Sequence, residues 1–186
     1  MTRRLTSLYL LVGGVIVILG ATHFYRDSLQ EAKHMSTNWV ILKDNVKVEA
    51  RPAGLWTVAL EWLDGPAILK FEAGDEEWFY SESDVSKTRA DGHLTSLLAA
   101  KGCLLQSAPV GALIGKIGGS SASATDGTLF TVGKFTLLEI DKSKGPLYLT
   151  INDEPGGFAN NRGAITVKIS SRSAPVLTTA TPKPGS

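Results

Sequence analysis

The sequence predicts an all-β domain that follows a single N-terminal transmembrane helix. Between residues 46 and 169, short runs of alternating apolar and polar residues are separated by clusters of Gly, Pro, Asn and Asp. This pattern is typical of half-buried strands joined by turns. The stretch 5–21 carries no charge, and extended to Tyr25 it provides about 20 residues, enough to cross a bilayer as a helix. The formal net charge of +1 gives no indication of a nucleic-acid partner.

The chain divides into five predicted segments, which differ in charge and periodicity. These are a cytoplasmic head at 1–4, a transmembrane helix at 5–25, a helical linker at 26–37, an extracytoplasmic β-domain at 38–171 and an extended or disordered tail at 172–186.

The orientation of the membrane helix follows from its flanking charges. Arg3 and Arg4 stand directly before the apolar stretch, and positive residues favour the cytoplasmic side. We therefore expect the β-domain on the periplasmic side of a bacterial inner membrane, with the lipid bilayer as the first partner. A cleaved signal peptide is the alternative, but bulky Leu19 disfavours cleavage before Thr22 because small residues are preferred there.

The first predicted strands of the β-domain lie around Val46–Val48, Trp56–Trp62 and Leu69–Ala73. In each, apolar residues recur at every second position, so one face of the strand is expected to point into the core. In the second strand, the period places both tryptophans, Val58 and Leu60 on that inner face. The only cysteine, Cys103, cannot form a disulfide within the chain.

A long polar loop at residues 152–163 joins two further strands of alternating pattern. It gathers oxygen donors: the Asp153 carboxylate, the side-chain amides of Asn160 and Asn161, and the main-chain carbonyl of Gly157. Calcium prefers oxygen ligands of these kinds. The alternative is a polar turn whose Asn and Asp side chains hydrogen-bond their own backbone. The loop composition leaves both interpretations open.

This loop resembles the corresponding loop of the calcium-dependent galactose lectins of the LecA (PA-IL) type. That family has the pattern N-D-x-P-G-x-x-x-N-N-x-G, which Asn152–Gly156, Asn160–Asn161 and Gly163 match. Upstream, Gly111–Gly118 is similar to the family's strand G-A-L-x-x-K-I-G. The resemblance extends over residues 38–171 and implies a small β-sandwich of jelly-roll type.

The same resemblance implies a set of calcium ligands. They would be the side chains of Asp153, Asn160 and Asn161, together with the main-chain carbonyls of Gly157 and Trp78. The tryptophan enters this set because it follows an Ala-Gly pair, as an aromatic ligand does in the lectins.

A second group of residues is expected to form a surface for a ligand or partner. It consists of the aromatic run Trp78, Phe79 and Tyr80, since aromatic side chains supply much of the contact energy at interfaces, and of His93. The lectins use an H-P-x-Q run to contact sugar, whereas Leu94 follows the histidine here.

No convergent set of titratable residues indicates catalysis, so we expect a protein that is not an enzyme. Two functions are compatible with the sequence. The first is an accessory or scaffold subunit whose β-sandwich docks on a larger bacterial membrane complex, for example a photosynthetic reaction-centre or light-harvesting complex. The second is a membrane-tethered, calcium-dependent module that binds a glycan. Because the sugar-contacting run is not repeated while the fold blocks are, the sequence favours the first.

Overall fold

The structure is a computed structural model that describes residues 39–93, 102–141 and 145–173. Within these ranges the chain forms ten strands, and none of its helices there has the length and apolar character that a bilayer crossing requires. The predicted head, membrane helix and linker, at residues 1–37, lie outside the described ranges. The strands are β1 Val40–Glu49, β2 Thr57–Leu63, β3 Ala67–Ala73, β4 Trp78–Phe79, β5 Lys87–Thr88, β6 Leu113–Ile117, β7 Thr128–Thr131, β8 Phe135–Ile140, β9 Gly145–Ile151 and β10 Arg162–Ser173.

The strands form two antiparallel sheets, which confirms the expected all-β sandwich. The larger sheet has the order β5-β4-β10-β3-β8, with β1 also paired to β10. The smaller sheet has the order β2-β9-β6-β7. Strand β10 is the central element of the larger sheet because it pairs with β1, β3 and β4. The polar loop leaves the smaller sheet at the end of β9 and enters the larger sheet at the start of β10.

The hydrophobic core lies between the two sheets. Strand β3 contributes Leu69 and Phe71, and β9 contributes Leu147, all without measurable exposure. The Phe71 ring lies 5.6 Å from the ring of Phe130 on β7, an ordinary spacing for a favourable aromatic pair. Gly115 on β6 makes room for this packing, since a Cβ at that position would collide with the Phe130 ring.

The smaller sheet is covered on its outer face as well. A second apolar cluster there contains Trp56, Ile114 and Tyr148. The ammonium nitrogen of Lys116 lies 4.8 Å from the Trp56 ring centre and 5.2 Å from that of Tyr148. Such cation–π contacts are stronger when the cation is shielded from water, as it is here, where the lysine side chain is fully buried.

Hydrogen bonds complete the environment of the buried Lys116 ammonium group. It donates to the carbonyl of Ser120 at 2.7 Å, to that of Ser123 at 2.8 Å and to the carboxylate of Asp126 at 2.8 Å. All three donors are therefore satisfied, as a buried cation requires. The lysine fixes the small-residue loop that contains these partners onto the sheet.

The strand predictions are confirmed at β1, β3, β9 and β10, but the predicted inner face of β2 is wrong. Val58 is 44% exposed and Trp62 is 62% exposed, whereas Ala59 and Leu63 are buried. The pairing of β2 with β9 shifts in register between Val58 and Leu60 and again before Leu63. A bulge of this kind changes which side chains face inward, so strict alternation cannot be extended through it.

The described strands extend from Val40 to Ser173. The compact unit that contains both sheets begins at Val40, two residues after the predicted start. Strand β10 continues to Ser173, so Arg172 and Ser173 belong to the sheet and not to the predicted tail. The remainder of that tail, residues 174–186, lies outside the described ranges.

Candidate metal centre

The polar loop between β9 and β10 has a compact backbone held by local hydrogen bonds. The amide of Gly157 donates to the carbonyl of Glu154 at 2.8 Å, and the amide of Asn160 donates to the carbonyl of Gly157 at 3.2 Å. A short 3-10 helix, Phe158–Asn160, follows, and its buried phenylalanine joins the core. The loop is thus fixed at both ends and in its middle, which allows it to hold polar groups in defined positions.

Asp153 is buried at the start of this loop, with 7% relative exposure. One carboxylate oxygen, Oδ1, accepts a hydrogen bond from the Glu154 amide at 2.8 Å. The other, Oδ2, is buried without a hydrogen-bond partner. Burial raises the pKa of the Asp153 carboxyl, and the Glu154 amide opposes this only in part. Burial thus disfavours the charged form of this carboxyl, and a cation bound near it would favour that form.

Asn161 lies beside the aspartate at the other end of the loop and is similarly unsatisfied. The residue is 5% exposed, and neither Oδ1 nor Nδ2 completes a hydrogen bond. Its amide is near enough to Asp153 to lower the pKa of that carboxyl in part, although the hydrogen-bond geometry is not met. A buried polar atom without a partner costs about 1–3 kcal/mol, so three such atoms on two neighbouring residues indicate a place for a ligand.

Gly157 allows the main chain to approach this carboxylate closely. A Cβ at that position would lie 2.8 Å from Asp153 Oδ2, closer than real Cβ atoms come to such groups, and 3.2 Å from Oδ1. The neighbouring Gly156 faces open space, with no atom within 4 Å of an added Cβ. The glycine requirement is therefore specific to the position that was predicted to supply a main-chain carbonyl ligand.

The structure also brings the Trp78 backbone to this loop. Gly163, two residues after Asn161, pairs with Trp78 across β4 and β10, and a Cβ on that glycine would lie 3.0 Å from the tryptophan Cα. The main chain is thus next to the loop, where a carbonyl ligand was predicted. Asn160, the remaining predicted ligand, is exposed on the loop surface.

The expectation that the Trp78 side chain forms a contact surface is wrong. Its ring is fully buried in the core, and its Nε1 donates to the Gly111 carbonyl at 2.8 Å. Phe79 is half-buried and is covered by the guanidinium of Arg162, which lies 4.0 Å from the ring centre. Alternation along the short strand β4 turns the first of these rings inward and the second outward.

Tyr80 and His93 are half-buried and lie next to each other. Their ring centres are 6.3 Å apart, in an edge-to-face arrangement. The backbone amide of His93 donates to the Val110 carbonyl at 2.9 Å. The residue after Val110 is Gly111, and its amide donates to the Asn152 carbonyl at 2.8 Å. Two of the predicted surface residues are therefore connected to the loop through one short stretch of backbone.

The sequence identified Asn152 only as part of the loop pattern, whereas the structure gives it a distinct role. It is fully buried at the end of β9, and its side chain hydrogen-bonds the segment 105–109. The signal in the sequence was a polar residue directly after the apolar run of β9, but its partners are more than 40 residues distant in the chain.

The donor set suits a hard cation. Within the described ranges no cluster of three or more His, Cys, Asp and Glu side chains is present. The loop instead offers one carboxylate, two side-chain amides and main-chain carbonyls, which are all oxygen ligands of the kind that calcium accepts. The unpartnered Asp153 Oδ2 and Asn161 Oδ1 are consistent with this use, so the residues present fit a calcium ion.

The fold and the loop define a β-sandwich protein with a candidate calcium site in the loop that joins its two sheets. The model of the PA-IL-like protein family matches residues 61–174, which is more than half of the chain, and the chain belongs to this family. The match includes the loop and all strands from β3 to β10.

A solved structure shows the same fold. The EclA N-terminal domain, described as a PllA-like lectin, superposes with a TM-score of 0.52 at 18% identity, over 74% of this chain and 100% of that domain. At this identity the similarity concerns the architecture alone. A search of curated proteins finds no match.

Proposed function

We propose that the domain is a calcium-dependent carbohydrate-binding module. The observation that carries the proposal is the pair of unpartnered buried oxygens, Asp153 Oδ2 and Asn161 Oδ1. They lie in the loop whose sequence matches the metal-binding loop of the lectin family. Buried polar groups are almost always hydrogen-bonded, so atoms of this kind in one place support a bound cation.

Several residues of the loop, together with the main chain of Trp78, would coordinate calcium. The Asp153 carboxylate would supply negative charge, and Asn160 and Asn161 would supply amide oxygens. The main chain at Gly157 and Trp78 would supply carbonyl oxygens. A bound calcium ion has room for further oxygen ligands, which sugar hydroxyl groups can provide.

The face next to the loop has properties suited to a glycan. Tyr80 and His93 are half-buried rings, and the backbone of residues 110–111, which contacts both, also hydrogen-bonds the Asn152 carbonyl. Aromatic rings combine apolar contact area with polar edges. Glu154 and Asn160 add exposed polar groups on the loop itself. These side chains would orient a sugar that the metal holds.

A docking function on a larger membrane complex has less support. In the aromatic run that was predicted to form its contact surface, the Trp78 ring is fully buried and the Phe79 ring is covered by the guanidinium of Arg162. The lectin-like fold supports the glycan-binding function instead. We keep the membrane tether as part of the proposal, since the uncharged stretch 5–25 is long enough to span a bilayer.

The proposal is tested with a glycan array probed by the full-length protein in mild detergent. We expect binding to at least one class of glycan in calcium, loss of that binding in a chelator, and no binding by an Asp153→Asn variant under either condition. Absence of glycan binding in calcium, or binding that the chelator does not change, would overturn the proposal.

A further inference from the structure

The segment 102–111 forms a wall against the loop. The amide of Leu104 donates to the Asp153 carbonyl at 3.1 Å, and the amide of Gly111 donates to the Asn152 carbonyl at 2.8 Å. At the start of the segment, a Cβ on Gly102 would lie 3.1 Å from the Glu154 carboxylate. The segment therefore contacts three consecutive residues of the loop, including the predicted carboxylate ligand.

One buried side chain connects this wall to the loop. Asn152 Oδ1 accepts from the Leu105 amide at 2.9 Å. Its Nδ2 donates to the carbonyl of Leu105 at 2.9 Å and to those of Ala108 and Pro109 at 3.0 Å each. The amide oxygen and the amide nitrogen of Asn152 therefore both form hydrogen bonds, and all their partners are backbone groups of the wall. An apolar residue of the same size could form none of these bonds, and an aspartate would present an oxygen to three carbonyls.

The wall also reaches the rings that face the proposed glycan. The Val110 carbonyl accepts from the His93 amide at 2.9 Å. The next residue, Gly111, is so close to Tyr80 that an added Cβ would lie 2.8 Å from its ring. The wall is therefore in contact with the metal loop on one side and with Tyr80 and His93 on the other.

We infer that Asn152 is a positioning residue that couples the metal loop to the ligand-facing rings through the segment 102–111. The inference rests on the proposed function and adds a mechanism of specificity to it. Removal of a side chain that holds metal ligands in position typically lowers metal affinity about 10–100-fold.

A role in stability alone would lower the melting temperature without changing calcium affinity, so the experiment needs a matched control. Asn152→Ala removes the four hydrogen bonds to the wall. Lys116→Met is the control, because Lys116 is equally buried and also fixes a loop to the smaller sheet by hydrogen bonds, but that loop is 118–127. Calcium affinity is measured by calorimetry on full-length protein in mild detergent, at a temperature where each variant is folded.

We expect Asn152→Ala to weaken calcium binding at least about tenfold, and Lys116→Met to leave it within twofold of the wild type. Equal calcium affinity in wild type and Asn152→Ala would overturn the inference and leave the proposed function standing. A wild-type protein that binds no calcium would overturn the proposed function, and the inference with it.

If the alanine variant does not fold, a measurement on the wild type tests the inference. Amide hydrogen exchange is recorded with and without calcium. We expect calcium to slow exchange at Leu105 and Gly111, which are not predicted ligands but belong to the wall, while amides in 118–127 keep their rates. Calcium binding with unchanged exchange at Leu105 and Gly111 would contradict the coupling.

Discussion

The Asp153→Asn substitution distinguishes a calcium site from a self-contained polar turn. The carboxyl is 7% exposed, its Oδ2 has no hydrogen-bond partner, and burial raises its pKa. Without metal, the buried charge is therefore unfavourable for folding, and the amide, which has similar shape and no charge, should be at least as stable. With metal, the same charge supplies the main attraction for the cation.

The size of the expected effect follows from linkage. Calcium at one hundred times its dissociation constant would stabilise the wild type by about 2.7 kcal/mol, which corresponds to a rise of roughly 10 °C in melting temperature for a domain of this size. The variant, which lacks the only carboxylate ligand, should show a rise of less than about 2 °C.

Thermal unfolding followed by near-UV circular dichroism tests this on full-length protein in mild detergent. The order of stability is expected to reverse: the variant melts at the same temperature as the wild type or higher in chelator, and well below it in calcium. If calcium raised both melting temperatures equally, or neither, Asp153 would not be a metal ligand and the reasoning from its unpartnered oxygen would be refuted.

Four further predictions follow from other features of the structure. In chelator, the stabilisation that the neutral Asp153 carboxyl provides should be fully present below its ordinary pKa of 3.8 and be lost as pH rises through the raised pKa of the folded state. The free energy of unfolding, measured with urea at a series of pH values, should show this loss in the wild type and not in Asp153→Asn. Gly157→Ala should weaken calcium binding at least about tenfold, because its Cβ would lie 2.8 Å from the Asp153 carboxylate. Gly156→Ala is the control and should bind calcium normally in the same calorimetric titration. Equal affinities of the two variants would argue against a main-chain ligand at Gly157. Lys116→Met should lower the free energy of unfolding by about 2 kcal/mol, measured by urea titration, since it leaves the Ser120 and Ser123 carbonyls without their donor; an unchanged midpoint would contradict the structural role of this lysine. Mass spectrometry of the mature protein should find the stretch 5–25 retained, and an N-terminus after Ala21 would show that it is removed.

Local periodicity was sufficient to predict strands that pair without interruption. Val46 and Val48 in β1, and Leu69 and Phe71 in β3, lie in the core as their alternation indicated. The same reasoning failed in β2, where Trp62 is exposed because the register against β9 shifts. A bulge depends on the partner strand, and the partner is not visible in a single stretch of sequence.

The residues of the candidate site that lie within one loop could be predicted from the sequence. Asp153, Gly157 and Asn161 come together because they belong to one loop. The sequence could not show that the aspartate oxygen and the asparagine amide are buried without partners, since burial depends on both sheets. The hydrogen bonds of Asn152 to a segment more than 40 residues away were similarly beyond any local pattern.

The central claim, that the loop binds calcium, is tested most directly by crystals of the protein grown in calcium, with diffraction data collected at a long wavelength. We expect one anomalous peak per chain in the loop, about 2.3–2.6 Å from oxygens of Asp153, Asn160 and Asn161 and from the main-chain carbonyls of Gly157 and Trp78. A loop without a peak, in which Asp153 Oδ2 instead accepts a hydrogen bond from a protein group, would contradict the account.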